Sequence, residues 1–345
     1  MANSSKIISG NEAAVLAAID AGAEIMYGYP ITPATEILEG WVEASQNDKS
    51  LKYLQTEDET SAGFAVIGSI VAGVKAFTAS AGPGHILLQD PISMAENLRL
   101  PFVTIIMQRG GPSTGTVNFS QQEVNLASFG GNGDGLRVVY SASSVEEMYE
   151  LVIQAFNTAW KYRFPTFVLG DGYLGKMRTA VKLSKPIKNI TSKAILKEEK
   201  TPTYLRNCYS SEESFGKVLA KNIYDWKINK DKIVESESYL VTDATEIIIA
   251  HGIVAAAAKE AVHIMRSENK KVGLFRPITV NPLDTRKLRQ ILPKVKIAHI
   301  FESSLSQFSR IIKYEAYGLN TPIIEHPKPA EGITSEEIIN QMERM

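Results

Sequence analysis

The sequence lacks the residues and segments that define several classes of protein. Its 345 residues include one cysteine, Cys208, which excludes an internal disulfide bond and any zinc site or iron–sulfur cluster held by several thiolates. No apolar run approaches the ~18 residues that a membrane span needs, and no apolar N-terminal segment is typical of a signal peptide. The 37 Lys and Arg balance 38 Asp and Glu, so no basic excess indicates nucleic-acid binding. We therefore expect a soluble, cytoplasmic α/β protein with neither a nucleic-acid nor a membrane partner.

Strand and helix patterns alternate along most of the chain. Short apolar runs such as "FVTIIM" and "PTFVLGD" predict buried strands, and stretches with helical spacing lie between them, including residues 11–22 with Asn11 as N-cap. This order favours a parallel sheet with helices on both faces. The alternation fades in a lysine-rich region and then resumes. We therefore predict a first α/β domain at residues 1–178, a surface connector at 179–243, and a smaller α/β domain at 244–345.

Three loops rich in glycine and proline follow predicted strands: "GYPITP", "ASAGPG" and "QRGGPSTG". Ligands of parallel sheets bind at the carboxyl ends of the strands, where such loops lie. In the first loop, Thr32 and Pro33 are typical of a helix start, with Thr32 as N-cap. A helix start of this kind either binds a small anion, such as a substrate carboxylate, or only begins the helix. The spacing alone leaves both interpretations open.

The other two loops carry an arginine and a histidine. Arg109 directly follows an apolar strand, and its guanidinium either binds a substrate carboxylate or pairs with a structural Asp or Glu. Gly110 and Gly111 allow the backbone to approach a ligand closely. His85 follows the glycine turn of "ASAGPG" and is a candidate proton carrier, although such a histidine more often caps a helix or lines an interface.

Three acids, Glu57, Asp58 and Glu59, begin a predicted helix at residues 57–73. Acids at this position complement the positive end of the helix dipole, which is the simplest explanation for them. The functional alternative is that one acid turns inward and is desolvated by the small residues of the helix. Its pKa would then be raised, and it would act as a proton donor or hydrogen-bond partner.

Two glycine–aspartate stretches, at residues 131–135 and 169–175, have part of the pattern of a magnesium–diphosphate site. Neither is followed by an asparagine at an obvious place for a second metal ligand. We therefore interpret both stretches as turns and expect no metal site in this chain.

Together, the loops and their order resemble the alpha subunit of 2-oxoacid:ferredoxin oxidoreductases, which are thiamine diphosphate enzymes. The stretches that carry this resemblance are "GNEAAVLAAIDAGAEIMYGYPITPATEI", "QTEDETSAGFAVIGSIVAGVKAFTASAGPG", "LPFVTIIMQRGGPSTG" and "KVGLFRPITVNPLD". The resemblance implies a first domain of the thiamine-diphosphate-binding type that receives the aminopyrimidine ring, and a second domain like the transketolase C-terminal domain. It also implies oxidative decarboxylation of a 2-oxoacid to acyl-CoA and CO₂ with reduction of ferredoxin.

The resemblance also implies roles for individual residues. Counting back from "GSIVAG" places the family's catalytic glutamate at Glu59, which would hydrogen-bond the pyrimidine ring and promote loss of the thiazolium C2 proton. Thr32 and Arg109 would bind the substrate. Asn118 would join them, because "GTVNF" places it where many family members have a threonine. The residues expected against the cofactor, besides Glu59, are Tyr29, Pro30, Ile31, Gly82 and Gly84.

The partners implied by the resemblance would supply what this chain lacks. A beta subunit would carry the diphosphate of thiamine diphosphate, Mg²⁺ and a [4Fe–4S] cluster, and a gamma subunit or domain would complete the assembly. Coenzyme A would be the co-substrate, and ferredoxin would receive the electrons. In the second domain, "FESSLSQF" retains Glu302 and Gln307 of a family motif.

The substrate is less strongly indicated than the reaction. We favour 2-oxoglutarate, because Arg109 and Asn118 could bind the second carboxylate of a dicarboxylate substrate. Pyruvate or a branched-chain 2-oxoacid stays open, as does a subunit that has kept the fold and lost the chemistry.

Overall fold

A computed structural model describes residues 6–183, 189–196 and 204–344. Parts of the predicted connector and the outer ends of both predicted domains fall on residues 1–5, 184–188, 197–203 and 345, which lie outside the described residues. The strands within the described residues are β1 (Lys6–Ile8), β2 (Ile25–Gly28), β3 (Lys52–Gln55), β4 (Ala76–Ser80), β5 (Val103–Gln108), β6 (Val138–Ser141), β7 (Thr166–Asp171), β8 (Thr179–Val181), β9 (Ser236–Tyr239), β10 (Glu246–Ile249), β11 (Val272–Pro277), β12 (Thr279–Asn281), β13 (Ile297–Glu302) and β14 (Ile323–Pro327).

The α-helices of the same ranges alternate with these strands over most of the chain. They are α1 (Gly10–Asp20), α2 (Thr35–Asn47), α3 (Glu59–Val71), α4 (Pro83–Leu87), α5 (Gln89–Leu98), α6 (Val124–Phe129), α7 (Val145–Tyr162), α8 (Gly172–Lys176), α9 (Glu212–Ile233), α10 (Gly252–Ser267), α11 (Thr285–Ile291), α12 (Gln307–Glu315) and α13 (Ser335–Glu343). Among the described residues, none of these helices has the length and apolar character needed to cross a membrane.

The first sheet has seven strands in the order β12-β6-β7-β5-β4-β2-β3. All of its pairings are parallel except that of β12 with β6. Two groups of helices contact this sheet: α1, α2 and α7 pack together in one group, and α3, α4 and α5 in the other. The predicted α/β fold with a mainly parallel sheet is therefore confirmed.

The centre of the first sheet is buried because its strands are almost continuously apolar. Strands β4, β5 and β7 are buried along their whole length, as expected where helices cover both faces of a parallel sheet. Phe77 of β4 packs edge-on against Trp41 of α2, with 5.0 Å between ring centroids, and against Phe156 of α7 at 5.8 Å. These three rings fix the helices to the strand that leads into the "ASAGPG" loop.

The second sheet has five strands in the order β14-β13-β10-β11-β9, and only β9 is antiparallel to its neighbour. Strand β9 lies in the region predicted as a connector, so the second sheet begins before residue 244. The connector region also contains α9, which is one continuous helix of 22 residues. Strand β12 follows β11 of the second sheet in the chain but pairs with β6 of the first sheet. The boundaries of the predicted domains therefore stay a prediction.

The predicted N-cap role of Thr32 is wrong. Helix α2 begins at Thr35, with Ala34 at the N-cap position and no side-chain cap. The carbonyl of an N-cap residue accepts the first hydrogen bond within the helix. The Thr32 carbonyl instead accepts a hydrogen bond from Nη1 of Arg109 at 2.8 Å, so this loop is tied to the "QRGGPSTG" loop rather than to its own helix.

Two other local predictions also need correction. Ser9, not Asn11, is the N-cap of α1, and it forms a reciprocal pair of hydrogen bonds with Glu12 at 3.1 and 2.7 Å. Asn11 is buried and donates to the Pro33 carbonyl at 2.9 Å. Residues 169–175 are not a turn but the end of β7 and the first part of α8, because the Asp171 carboxylate accepts two backbone N–H groups that begin this helix.

We expect the Phe77→Ala variant to lower the free energy of unfolding by about 3–5 kcal/mol, because it leaves a cavity beneath the loops. Chemical denaturation followed by circular dichroism measures this loss. Tyr224→Ala on α9 is the control, since Tyr224 is 62% exposed and its truncation leaves no buried cavity. Equal, small effects of the two variants would contradict the packing described for Phe77.

Candidate active site

The three loops meet at one edge of the first sheet. Strand β4 lies between β2 and β5 and is parallel to both, so the loops that follow these strands emerge on the same side. Besides the bond from Arg109 to Thr32, the loops after β4 and β5 touch directly. A Cβ atom added at Gly82 would lie 2.5 Å from Nε of Arg109. Gly82 also has a φ of 52°, a conformation that favours glycine.

Glu59 is the acid that turns inward at the start of α3. Asp58 caps the helix by accepting a hydrogen bond from the Ser61 N–H at 2.6 Å, and Glu57 is exposed. Glu59 is only 3% exposed, and Oγ of Ser80 donates to its Oε1 at a long 3.4 Å. Of the two interpretations of this acidic stretch, the cap applies to Asp58 and the inward-turned acid to Glu59.

Burial raises the pKa of Glu59, because removing the carboxylate from water disfavours its charged form. The hydrogen bonds from its own backbone and from Ser80, and the positive charge of Arg109, act in the opposite direction without offsetting the burial. Glu59 therefore retains its proton at a higher pH than an exposed glutamate. Gly84 makes room for this carboxyl, since a Cβ atom there would lie 2.0 Å from Oε1 of Glu59.

Arg109 is 6% exposed and lies immediately after β5. Its guanidinium donates a hydrogen bond to the Thr32 carbonyl. Because this acceptor is neutral, the hydrogen bond does not neutralise the positive charge of Arg109. Within the described ranges, its buried Nε has no hydrogen-bond partner. A buried cation with an unused donor is suited to bind an anion.

The remaining predicted site residues occupy different environments. Tyr29 and Pro30 are exposed, and Ile31 and Thr32 are partly buried, on the loop that Arg109 contacts. Asn118 is also exposed, and its backbone N–H donates to Oγ1 of Thr116 at 3.1 Å. In the part of the chain that the structure describes, no hydrogen bond joins Asn118 to Arg109 or Glu59. The structure therefore brings the Thr32, Gly82 and Arg109 loops together but does not attach Asn118 to them.

Glu123 is a central residue of this region that the sequence analysis did not identify. It is 4% exposed, and its Oε1 accepts hydrogen bonds from the backbone N–H groups of Gly82 at 2.9 Å and Arg109 at 3.0 Å. Its Oε2 lies 2.8 Å from Nδ1 of His85, which is completely buried. His85 therefore serves this internal network rather than an exposed surface. No spacing in "SQQEV" marks Glu123, since its partners are distant in sequence.

The segment that carries Glu123 is held by the end of β13 and the start of α12. Gln121 and Ser303 exchange two hydrogen bonds: the Gln121 N–H donates to the Ser303 carbonyl, and the Ser303 N–H donates to Oε1 of Gln121, both at 3.0 Å. Nε2 of Gln307 donates to the Gln122 carbonyl at 2.7 Å. Glu302 is buried and accepts two backbone N–H groups of α12, each at 2.9 Å. Gln307 therefore connects α12 to the segment that carries Glu123, whereas Glu302 holds the start of α12 itself.

Comparison with known proteins places this chain in a family. The profile described as "Pyruvate flavodoxin/ferredoxin oxidoreductase, thiamine diP-bdg" matches residues 16–261, and "Pyruvate:ferredoxin oxidoreductase core domain II" matches residues 244–332. The chain therefore belongs to the 2-oxoacid:ferredoxin oxidoreductase family, an oxidoreductase family with a thiamine-diphosphate-binding domain. This confirms the family resemblance stated from the sequence.

Two curated relatives have different names but similar coverage. The ketoisovalerate oxidoreductase subunit VorB of Methanothermobacter marburgensis is 34% identical over 83% of this chain and 82% of its own length. The 2-oxoglutarate synthase subunit KorA of Methanocaldococcus jannaschii is 34% identical over 88% of this chain and 89% of its own length. Both are named as subunits, so these relatives belong to multi-subunit oxidoreductases.

Solved structures agree with the fold. The 2-oxoglutarate:ferredoxin oxidoreductase from Magnetococcus marinus, with 2-oxoglutarate, coenzyme A and succinyl-CoA bound, matches 99% of this chain with a TM-score of 0.89 and 25% identity. This chain covers 65% of that chain's length. A split-gene transketolase, described as an inactive beta4 tetramer, matches with a TM-score of 0.62 and 12% identity, which shows the fold alone.

We expect Gly84→Ala to reduce 2-oxoacid-dependent reduction of methyl viologen by the assembled complex about 100-fold, because the new methyl group displaces the Glu59 carboxyl. Gly216→Ala is the matched control: it also lies in a helix, and an added Cβ there meets no atom within 4 Å. Wild-type activity in Gly84→Ala would show that the Glu59 carboxyl does not need the position described here.

Proposed function

We propose that this chain supplies the aminopyrimidine-binding half-site of a 2-oxoacid:ferredoxin oxidoreductase and that Glu59 is its catalytic residue. The reaction is the oxidative decarboxylation of a 2-oxoacid to acyl-CoA and CO₂ with reduction of ferredoxin. The observation that carries this proposal is the buried Glu59 carboxyl, whose pKa is raised, beside the three glycine-containing loops. Family membership supports the reaction class, and the geometry supports the assignment to this residue.

The residues around Glu59 suit a flat heterocycle. When bound, thiamine diphosphate supplies the carbon that attacks the keto group and allows CO₂ to leave. Oγ of Ser80 forms only a long hydrogen bond to the Glu59 carboxyl, so this carboxyl retains capacity to donate a proton to a ring nitrogen. Because Gly82 and Gly84 lack side chains, the Arg109 guanidinium and the Glu59 carboxyl fit closely against this loop. Tyr29, Pro30 and Ile31 would contact the ring from the neighbouring loop.

We propose that Arg109, Thr32 and Asn118 bind the 2-oxoacid, with 2-oxoglutarate as the preferred substrate. The unpartnered Nε of Arg109 supports a carboxylate ligand. Asn118 is exposed, so its side-chain amide is accessible to a second carboxylate. A relative named 2-oxoglutarate synthase and a structural neighbour with bound 2-oxoglutarate support this choice. The relative named ketoisovalerate oxidoreductase favours a branched-chain 2-oxoacid as the second candidate.

We propose that a beta subunit completes the active site in the cytoplasm by supplying the diphosphate site, Mg²⁺ and a [4Fe–4S] cluster. A gamma subunit, coenzyme A and ferredoxin complete the reaction. Exposed apolar side chains near the loops support a partner surface, since Tyr29 is 41%, Ile86 56% and Leu87 45% exposed in this chain.

We expect Glu59→Gln to lower kcat of the assembled complex about 10²- to 10⁴-fold, because the amide cannot exchange a proton with the ring. Viologen reduction at saturating 2-oxoacid measures the loss. The matched control is Glu57→Gln, which neutralises an exposed acid two residues away. If Glu59→Gln matches this control, the chain is an interaction subunit without catalytic function.

We expect Arg109→Gln to raise KM for 2-oxoglutarate at least about tenfold, because it removes a charge-assisted hydrogen bond to a carboxylate. The wild-type complex should also have a higher kcat/KM for 2-oxoglutarate than for pyruvate or 2-oxoisovalerate. Steady-state kinetics with the three 2-oxoacids test both expectations. Arg178→Gln is the control, because Arg178 is exposed and forms a surface ion pair with Glu12. A higher kcat/KM for 2-oxoisovalerate would favour the branched-chain candidate.

A further inference from the structure

We propose that Glu123 is a positioning residue that holds the Gly82 and Arg109 loops at a fixed separation. The functional part of this inference rests on the proposed function, since these loops flank the proposed catalytic and substrate-binding groups. Glu123 itself need not contact cofactor or substrate.

The hydrogen bonds of Glu123 show how one side chain connects two strand ends. Its Oε1 accepts the N–H of Gly82, two residues after β4, and the N–H of Arg109, one residue after β5. Both N–H groups lie beyond the sheet ladder, so they lack the regular partners that the strands provide. Because a buried N–H without a partner is unfavourable, a single oxygen that accepts both favours one arrangement of the two loops.

This arrangement sets the position of both proposed functional groups. Gly84 follows Gly82 by two residues and packs against the Glu59 carboxyl, whereas the Arg109 side chain packs against Gly82. The close approach of these atoms means that a shift of either loop moves the other. A displacement of about 1 Å at a reacting centre is sufficient to reduce catalysis about 100-fold. Glu123 therefore acts on Glu59 and Arg109 through the backbone.

His85 completes the environment of the Glu123 carboxylate. A buried carboxylate needs hydrogen bonds to both oxygens, and Nδ1 of His85 lies 2.8 Å from Oε2. With Glu123 ionised, Nδ1 of His85 carries the donated hydrogen. Both carboxylate oxygens of Glu123 thus have hydrogen-bond partners within this chain. The Glu59 carboxyl, in contrast, has one long side-chain hydrogen bond, from Ser80.

The first test measures the two N–H groups directly. In the full chain within the assembled complex, hydrogen–deuterium exchange with fragmentation mass spectrometry follows the amides of residues 82 and 109. We expect Glu123→Ala to accelerate exchange at both about 10- to 100-fold, because each loses a charged acceptor. Glu123→Gln should retain most of the protection, since its amide oxygen still accepts. The control is Glu146→Ala, which removes an exposed acid at the start of α7.

The second test separates positioning from general stability. We expect Glu123→Ala to raise KM for the 2-oxoacid and lower kcat, each about tenfold or more, with Glu123→Gln restoring most of both values. Unchanged exchange at residues 82 and 109 in both variants would overturn the proposed contact. Faster exchange with wild-type kinetics would overturn the positioning role. If the wild-type complex consumes no 2-oxoacid, the proposed function fails, whereas the exchange experiment still decides whether Glu123 holds the loops.

Discussion

The candidate site depends on hydrogen bonds that one buried carboxylate forms with groups from separate parts of the chain. Glu123 joins the ends of two neighbouring strands and a histidine on a short helix. Parallel strands bring their following loops to one side of a sheet, but the ladder itself does not order those loops. The order comes from polar groups beyond the ladder. Gln121 and Gln307 connect the segment that carries Glu123 to the end of β13 and the start of α12. Residues that follow both sheets therefore contribute to the position of the loops.

Small residues and burial give Glu59 its distinct chemistry. Three consecutive acids lie around the start of α3, yet only the third, Glu59, is both buried and packed against a glycine. Its neighbour Asp58 stays at the helix end, where accepting a backbone N–H lowers its pKa. The opposite shifts arise from environment rather than residue type: hydrogen bonding stabilises the charge of Asp58, whereas desolvation disfavours the charge of Glu59.

The sequence allowed the central strands, the main helices and the family to be predicted, because apolar periodicity and loop motifs are local signals. The pattern of three acids alone left open which of them turns inward, and the family resemblance indicated Glu59. In the structure, Glu59 is buried whereas Asp58 caps the helix. The N-cap role of Thr32 was predicted wrongly, because α2 begins at Thr35 and the Thr32 carbonyl binds an arginine that follows a different strand. Glu123 and the short edge strand β12 depend on partners far away in sequence, which no local pattern reveals.

Strand β12 has a consequence for how the two halves of this protein can change over time. Residues Thr279–Asn281 follow the second sheet's β11 in the chain but hydrogen-bond to the first sheet at β6. An exchange of the C-terminal half between homologues would therefore also replace an edge strand of the N-terminal half. We therefore expect such a chimaera to need residues that are compatible on both sides of the β12–β6 pairing.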